Sequence, residues 1–313
     1  MMKYKGTRSA FAGALTELCG ADKKYKAISP DSLKAARLVK LAQKYPECYV
    51  EAGIAEQCAV DVAAGMATVG SVPFVVTYAG FITMRACEQV RTFVAYPDLN
   101  VKLVGLNAGM LGGEREGVTH QFFEDIGIMR SIPNITIVCP SDDTQVYQAT
   151  KAIAKLDGPA YMRIGNNREP GVFVDDIPDF EISKIRILRD YGSDIAVFTH
   201  GFVTDRAIKA VELLKEFGIG ATLVEVHTIR PLDVEGISAV LQKCGKAITY
   251  EDHFINGGLG SVISEVIAER CSAKLIRIGI TDFPESGTPD DLFKHFNMES
   301  DDIVKAAKSL CRD

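Results

Sequence analysis

The chain lacks several features that would place it in a membrane, outside the cell or on a nucleic acid. No run of about 18 apolar residues occurs, and the start MMKYKGTRSAFAGAL has no signal peptide pattern. The eight cysteines include no C-x-x-C pair, and several lie inside apolar runs, which is typical of reduced core thiols. The net charge is −6 and no basic block is present. We therefore expect a soluble cytoplasmic protein that binds neither nucleic acid nor a membrane.

The sequence also lacks the spacing of a self-contained metal site, because neither H-x-x-x-H nor H-E-x-x-H occurs. His200 and His227 follow β-rich runs and His253 precedes a glycine turn, so each is interpreted as a hydrogen-bonded structural residue. That turn, NGGLGS, lies between a strand and a helix and could cradle a phosphate. It lacks the full G-x-G-x-x-G spacing and an acidic residue placed for a ribose, so a dinucleotide site is not expected.

Strand-like and helical patterns alternate along the 313 residues. Short β-rich runs such as SVPFVVTY and VKLVGLNA are separated by segments of helical period such as FITMRACEQVRTFVAY. This alternation predicts an α/β protein with largely parallel sheets flanked by helices. A polar stretch, NNREPGVFVDDIPDFEIS, interrupts the pattern, which restarts at DIAVFTHG. We predict two domains, 1–175 and 189–313, joined by a linker at 176–188.

One acid stands out in the stretch VEAGIAEQCAVDVAAGMATVG, residues 50–70. Glu56 lies where a helix is predicted to begin, among small and apolar side chains, and should be half buried. A structural interpretation is an acid at a helix N-terminus, favoured by the helix dipole. The pattern alone does not explain why the chain would bury a carboxylate there.

Several motifs occur in a fixed order. GIAEQ is followed by TYAGFITMRACEQ, then by the glycine-rich loop NAGMLGGEREGVTHQ, and later by TIRPLD and EDHFINGGLGS. This order resembles the pyrimidine-binding half of transketolase, in particular the short C-terminal subunit of split transketolases. The resemblance implies a thiamine-diphosphate-binding fold plus a transketolase C-terminal domain. It also implies transfer of a two-carbon ketol unit from a ketose to an aldose.

The resemblance assigns roles around the cofactor, thiamine diphosphate. Glu56 matches the glutamate whose carboxyl group hydrogen-bonds the cofactor's pyrimidine ring and promotes the imino tautomer that removes a proton from the thiazolium carbon. Tyr78 and Phe81 match aromatic residues around the aminopyrimidine, with core packing as the alternative. Asp31 aligns with an acid near the cofactor. His120 matches the histidine that faces the reacting carbon, where an imidazole can donate to a developing alkoxide.

The substrate's far end is implied to carry a tetrahedral anion. Arg8 and Arg163 match two arginines that hold the substrate phosphate in the family, and a guanidinium fork suits such an anion. The family's phosphate-binding serine and histidine appear as Ala35 and Asn107. With two donors lost, we expect a sugar phosphate as substrate and a sulfonated ketose as the alternative, since a sulfonate carries less charge.

The glycine-rich loop departs from the family pattern. Where transketolases read Gly-Glu-Asp-Gly before Thr-His, this chain reads GGEREG and is one residue longer. Glu116 stands in place of the aspartate that contacts a substrate hydroxyl, and Arg115 lies beside it. Both are predicted to contact the substrate.

The family's Gly-Asp-Gly segment, which with a later asparagine binds Mg²⁺ and the diphosphate, does not occur in this sequence. The resemblance therefore implies a separate N-terminal diphosphate-binding subunit that supplies the Mg²⁺ ligands. It also implies self-association through the pyrimidine domain and an α2β2 assembly. Three alternatives stay open: a subunit like 1-deoxyxylulose-5-phosphate synthase, a 2-oxo acid dehydrogenase β-type subunit, or a non-catalytic homologue.

Overall fold

The computed structural model describes residues 5–110, 112, 117–167, 169–173 and 179–312. Its strands are β1 (Tyr25–Ser29), β2 (Tyr49–Glu51), β3 (Val72–Tyr78), β4 (Lys102–Leu106), β5 (Thr136–Val138), β6 (Ala160–Arg163), β7 (Arg186–Asp190), β8 (Ile195–Thr199), β9 (Ala221–Glu225), β10 (Thr228–Arg230), β11 (Lys246–Phe254) and β12 (Lys274–Ile280). Its α-helices are α1 (Thr7–Ala21), α2 (Val39–Lys44), α3 (Glu56–Thr68), α4 (Cys87–Gln89), α5 (Asp125–Ser131), α6 (Asp143–Ala154), α7 (Thr204–Glu216), α8 (Val234–Cys244), α9 (Leu259–Arg270), α10 (Pro289–His295) and α11 (Ser300–Arg312).

Shorter helical turns complete the description. Three 3₁₀ turns occupy Pro46–Cys48, Val118–His120 and Gly201–Val203. Two π-helical segments, Phe81–Arg85 and Val90–Ala95, flank α4. The predicted helix FITMRACEQVRTFVAY is therefore present, but it is wound wider than an α-helix over most of its length. Such π turns are frequent at functional sites.

The first sheet has seven strands in the order β10-β5-β6-β4-β3-β1-β2. All pairs are parallel except β10 with β5. The central strands β3 and β4 are almost entirely buried, because helices cover both faces of a parallel sheet. This explains why SVPFVVTY and VKLVGLNA are continuous apolar runs and do not alternate with polar residues.

The second sheet has five strands in the order β12-β11-β8-β9-β7. Its strands are parallel except β7, which pairs antiparallel with β9 at the edge. Helix α7 packs on β9 and α9 on β11. Two sheets of mostly parallel strands flanked by helices confirm the predicted fold class.

The two halves of the chain are more closely joined than the predicted domains suggest. Strand β10 belongs to the second half in sequence but pairs with β5 of the first sheet. The Arg230 side chain also links the two halves, because it donates hydrogen bonds to the backbone carbonyls of Arg130 and Ile132. Strand β7 begins at Arg186, inside the stretch 176–188 predicted as a linker. The domain boundaries themselves stay a prediction.

All eight cysteines are free thiols. Cys19, Cys48 and Cys139 are buried, whereas Cys58 is exposed on α3. The interpretation as core thiols therefore holds for Cys19, Cys48 and Cys139 but not for Cys58. Within the described part of the chain, no helix has both the length and the apolar character needed to cross a membrane.

Candidate functional site

The carboxyl ends of the parallel strands in the first sheet collect most of the predicted site residues. Asp31 follows β1, Glu56 follows β2, Tyr78 ends β3, Asn107 follows β4 and Arg163 ends β6. In a parallel α/β sheet these strand ends lie at one edge, where ligands normally bind. The topology therefore brings together residues that are far apart in sequence.

A cluster of aromatic rings lies at this edge. The His120 ring centroid is 5.1 Å from that of Tyr78 and 5.6 Å from that of Phe81, both in edge-to-face geometry. Phe122, which the sequence analysis did not single out, packs on Phe81 at 5.4 Å. A Cβ at Gly80 would lie 2.0 Å from the Phe122 ring, so only glycine fits there. The rings of Tyr78, Phe81 and His120 are half-buried and form one wall open to a ligand.

His120 stands on the 3₁₀ turn Val118–His120. Its Nδ1 is 3.1 Å from the Thr119 hydroxyl oxygen. The contacts with Thr119 and the aromatic wall fix the orientation of the imidazole. The structure therefore brings His120 together with Tyr78 and Phe81, as the resemblance implied.

Glu56 is the first residue of α3, and its side chain is 3% exposed. The acid is more deeply buried than the sequence alone suggested. The N-cap of α3 is Ala55, and no side chain forms a capping hydrogen bond there. Glu56 therefore has a helix N-terminal position without serving as the cap.

The partner of Glu56 is Arg85, a residue that sequence reasoning missed. Arg85 Nη1 lies 2.9 Å from Glu56 Oε2. The same guanidinium lies over the Phe81 ring, with its central carbon 4.2 Å from the ring centroid. Arg85 thereby connects the buried acid to the aromatic wall. Phe81 and Arg85 are four residues apart on one helical segment, so their side chains are neighbours. That spacing could have indicated a contact between the guanidinium and the aromatic ring.

Asp31 is exposed and adopts a left-handed backbone conformation, with φ of 52°. Its amide donates to Glu51 Oε1 at 2.7 Å, and the amide of Gly53 donates to the same oxygen at 3.0 Å. Glu51 thus ties the loop after β1 to the loop that leads into α3. Asp31 lies at the predicted edge, on the side of the sheet away from Arg163.

The residues predicted at the anion end also meet. Arg8 on α1 is buried and donates to the carbonyl oxygens of Gly165, at 2.9 Å, and Ala35, at 3.2 Å. It also donates to Asn107 Oδ1. Asn107 Nδ2 in turn donates to the carbonyl oxygen of Gly112 at 3.1 Å, which links Arg8 to the glycine-rich loop. Arg8, Ala35 and Asn107 therefore form one group.

Arg163 has a different environment from the one expected of an anion ligand. Its side chain is 1% exposed, and Nε lies 3.0 Å from Asp125 Oδ2. Nη2 donates to the backbone carbonyl of Asp252 on β11 at 2.5 Å. The guanidinium is thus held between the first sheet and a strand of the second. This placement gives Arg163 a structural task that the sequence did not indicate.

Charged and polar side chains surround Arg163 in a buried network. Tyr161 donates its hydroxyl to Asp125 Oδ2 at 2.6 Å, and the Met110 amide donates to Asp252 Oδ1 at 3.0 Å. Burial raises the pKa of Asp252 to about 6, against the lowering influence of Arg163. Buried acids of this kind need a cation nearby, and Arg163 supplies it.

The glycine turn NGGLGS has a structural task. Glu251 is buried and accepts from the amides of Leu259 and Gly260 at 2.6 and 2.7 Å, at the N-terminus of α9. A protein carboxylate therefore occupies the position at which a phosphate would bind. This arrangement agrees with the expectation that no dinucleotide binds here.

The three histidines near the second sheet are buried. His253 accepts from the Gly127 amide at 3.2 Å, and His227 lies 3.0 Å from the Thr228 hydroxyl. Neither ring nitrogen of His200 has a hydrogen-bond partner among the described residues. Burial lowers the pKa of His200 to about 3 and that of His227 to about 4. The hydrogen-bonded interpretation is confirmed for His227 and His253 and wrong for His200.

Arg115 and Glu116 lie outside the described residues, so their predicted substrate contacts stay predictions. Among the residues that are described, no three His, Cys, Asp or Glu side chains converge to hold a metal ion.

Residues 3–168 match the family described as transketolase, pyrimidine binding domain, and residues 183–303 match transketolase, C-terminal domain. The chain therefore belongs to the transketolase family. A putative transketolase C-terminal section of Methanocaldococcus jannaschii is 38% identical, over 96% of this chain and 95% of that protein. A 6-deoxy-6-sulfo-D-fructose transketolase subunit of Clostridium sp. strain MSTE9 is 36% identical, over 97% and 94%.

Solved structures give the same assignment. A split-gene transketolase, described as an inactive beta4 tetramer, superposes with a TM-score of 0.89 at 33% identity and covers 99% of both chains. Within its family the chain is thus a C-terminal subunit of the split type. This confirms the resemblance drawn from the order of the sequence motifs.

Proposed function

We propose that the chain is the pyrimidine-binding subunit of a two-subunit, thiamine diphosphate-dependent transketolase. The observation that carries the proposal is the buried Glu56 beside the half-exposed wall of Tyr78, Phe81 and His120. An apolar wall with one buried acid suits an aromatic ring that carries a basic nitrogen. When bound, thiamine diphosphate would supply the nucleophilic carbon that accepts the two-carbon ketol unit.

The chain's own residues have distinct tasks in this proposal. Tyr78 and Phe81 hold the aminopyrimidine by ring contacts, and Glu56 shares a proton with its ring nitrogen. Asp31 contacts the cofactor from the neighbouring strand end. His120 donates a hydrogen bond to the substrate oxygen at which negative charge develops, which lowers the barrier to carbon–carbon cleavage.

The substrate is proposed to be a ketose with a terminal phosphate or sulfonate and an aldose acceptor. Support comes from Arg8, whose guanidinium meets Asn107 and Ala35 at the sheet edge. Arg115 and Glu116 are proposed to contact the substrate from the glycine-rich loop. Arg163 stays in the proposed anion site, because Nε and Nη2 bind Asp125 and the Asp252 carbonyl whereas the buried Nη1 has no hydrogen-bond partner among the described residues.

A separate N-terminal subunit is proposed to supply the diphosphate site and the Mg²⁺ ligands, in an α2β2 assembly. The inactive beta4 tetramer of the split-gene relative supports this view, since that chain associates with itself and has no activity alone. We propose that this chain also associates with itself and is inactive without its partner subunit.

Reconstitution tests the proposal. The purified chain, with thiamine diphosphate and Mg²⁺, is expected to show no ketol transfer from sugar phosphates or sulfonates. Addition of the subunit that carries the Gly-Asp-Gly segment should restore transfer, measured by the appearance of the aldose released from the ketose. Full activity of this chain alone would refute the two-subunit proposal. Transfer with an uncharged ketose that equals transfer with anionic ketoses would refute the anion site.

A further inference from the structure

Arg85 has contacts that the proposed function does not use. It lies at the end of the π-helical segment Phe81–Arg85, and its side chain is 48% exposed, whereas Glu56 beneath it is almost completely buried. The ion pair between them measures 2.9 Å, and the guanidinium stacks over the Phe81 ring. Arg85 therefore covers the one buried acid that the proposed function assigns to the cofactor.

The other ionisable groups near α3 have different partners. Lys26 on β1 donates to the Glu47 carbonyl oxygen, and Arg91 donates to the Thr92 hydroxyl. Burial raises the pKa of Asp61 on α3, and the nearby Glu88 adds to that effect. Besides Glu56, the ionisable side chains of α3 and of the elements packed against it are Tyr25, Lys26, Cys58, Asp61, Tyr78, Arg85, Cys87, Glu88 and Arg91. Arg85 is the cation that the described structure places in contact with Glu56.

We propose that Arg85 is a positioning residue for Glu56, and this inference rests on the proposed function. A guanidinium in contact with a carboxyl group favours its ionised form and fixes one of its oxygens. Arg85 binds Oε2 and so sets the orientation of the carboxyl group towards the aromatic wall.

Half of the Arg85 side chain faces solvent, which limits the strength of the pair but lets the guanidinium move. The contact with Phe81 gives it a second support on the same helical segment. Glu56 can then form a hydrogen bond with the neutral ring nitrogen of the cofactor while the Arg85 guanidinium stays close to it. A fully buried arginine would hold the acid permanently ionised.

The first test uses the free chain and needs neither cofactor nor partner. Glutamate carboxyl carbons are labelled with ¹³C, and the Glu56 resonance is identified as the signal missing in Glu56→Gln. In Arg85→Gln the carboxyl group loses the guanidinium that holds Oε2, so the Glu56 carboxyl resonance at one fixed neutral pH should move away from its wild-type position. Arg85→Lys keeps a cation there and should leave the resonance closer to its wild-type position.

Arg91→Gln is the matched control, because it removes a guanidinium from the neighbouring π-helical segment Val90–Ala95, where Arg91 donates to the Thr92 hydroxyl. It should leave the Glu56 resonance unchanged. A Glu56 resonance in Arg85→Gln that coincides with the wild type would overturn the inference. A displacement of equal size in Arg91→Gln would also overturn it, since the effect would then come from the loss of any nearby positive charge and not from the Arg85–Glu56 pair.

The second test uses the assembled two-subunit enzyme. Arg85→Gln should lower kcat at least tenfold and leave KM for the ketose within about twofold, with partial recovery in Arg85→Lys. A displaced Glu56 resonance with unchanged kcat would overturn the positioning role. If the wild-type assembly itself transfers no ketol unit, the proposed function fails, and the Glu56 resonance of the free chain still decides whether Arg85 orients Glu56.

Discussion

Replacement of Arg163 by methionine should destabilise the fold, and this separates its structural task from the predicted anion contact. Met fills a similar volume but removes the charge next to Asp125 and Asp252. Arg163 and Asp125 are 1% and 0% exposed, so the remaining carboxylate has no solvent to replace its partner. Breaking one side of a buried ion pair costs about 3–5 kcal/mol. That is a large share of a typical free energy of unfolding of about 5–15 kcal/mol.

Urea denaturation at one protein concentration measures the change. Arg189→Met serves as the control, because Arg189 pairs with Glu212 at a similar 2.9 Å but in solvent, where such pairs contribute below about 1 kcal/mol. Adding Asp125→Asn to Arg163→Met should recover part of the loss, since the neutral amide no longer needs a cation. An Arg163→Met chain as stable as Arg189→Met would refute the reasoning. A selective loss of kcat/KM for anionic ketoses with that result would leave the anion contact as the main task of Arg163.

Three further outcomes are expected. Glu56→Gln should keep the fold but slow proton exchange at the thiazolium carbon of the assembled enzyme by orders of magnitude, measured by NMR; near-normal exchange would contradict the assigned role. His227 has a pKa lowered to about 4 by burial, so the unfolded state takes up its proton first as the pH falls below about 6.5. His227→Gln should therefore lessen the loss of stability between pH 6.5 and 4, by up to about 1.4 kcal/mol per pH unit in urea denaturation, and an unchanged slope would contradict this. Ala35→Ser adds a hydroxyl near Arg8 and should raise kcat/KM for phosphate ketoses about fivefold over uncharged ones, the equivalent of one hydrogen bond; no change would place the anion elsewhere.

Periodic segments of the sequence were predicted well. The helix predicted to begin at Glu56 is observed as Glu56–Thr68, and the helical period of FITMRACEQVRTFVAY is observed as helical turns over Phe81–Ala95. Both have an apolar face that the sheet buries, so local pattern and tertiary packing agree. Strands buried on both faces were recognisable as short apolar runs for the same reason.

The join between the two halves could not be predicted in the same way. Strand β10 has three residues, and β5, its partner, also has three. Segments this short have no periodic pattern, and their pairing depends on residues about 90 positions apart being held together by the rest of the fold. Strand β7 begins inside the predicted linker, because the charged residues of this edge strand resemble those of irregular chain.

The side-chain contacts of two arginines could not be predicted from the sequence. A match between motifs gives the position of Arg163 at the end of β6, but its partners Asp125 and Asp252 come from other parts of the chain. Arg85 lies in the motif TYAGFITMRACEQ, in which the sequence analysis assigned roles to the aromatic residues alone. Its pairing with Glu56 depends on a π-helical turn that no periodic pattern predicts.

The contacts of Glu56 also explain why the chain buries an acid at the start of α3. A buried carboxylate costs several kcal/mol unless a cation and hydrogen bonds offset it. The α3 N-terminus favours the negative charge, but Glu56 forms no capping hydrogen bond, so the helix does not need its carboxyl group. The chain instead places Arg85 over the acid, at 2.9 Å and half in solvent. A buried acid that the helix does not need fits the proposed cofactor role, and the aromatic wall beside it is where we propose that the cofactor binds.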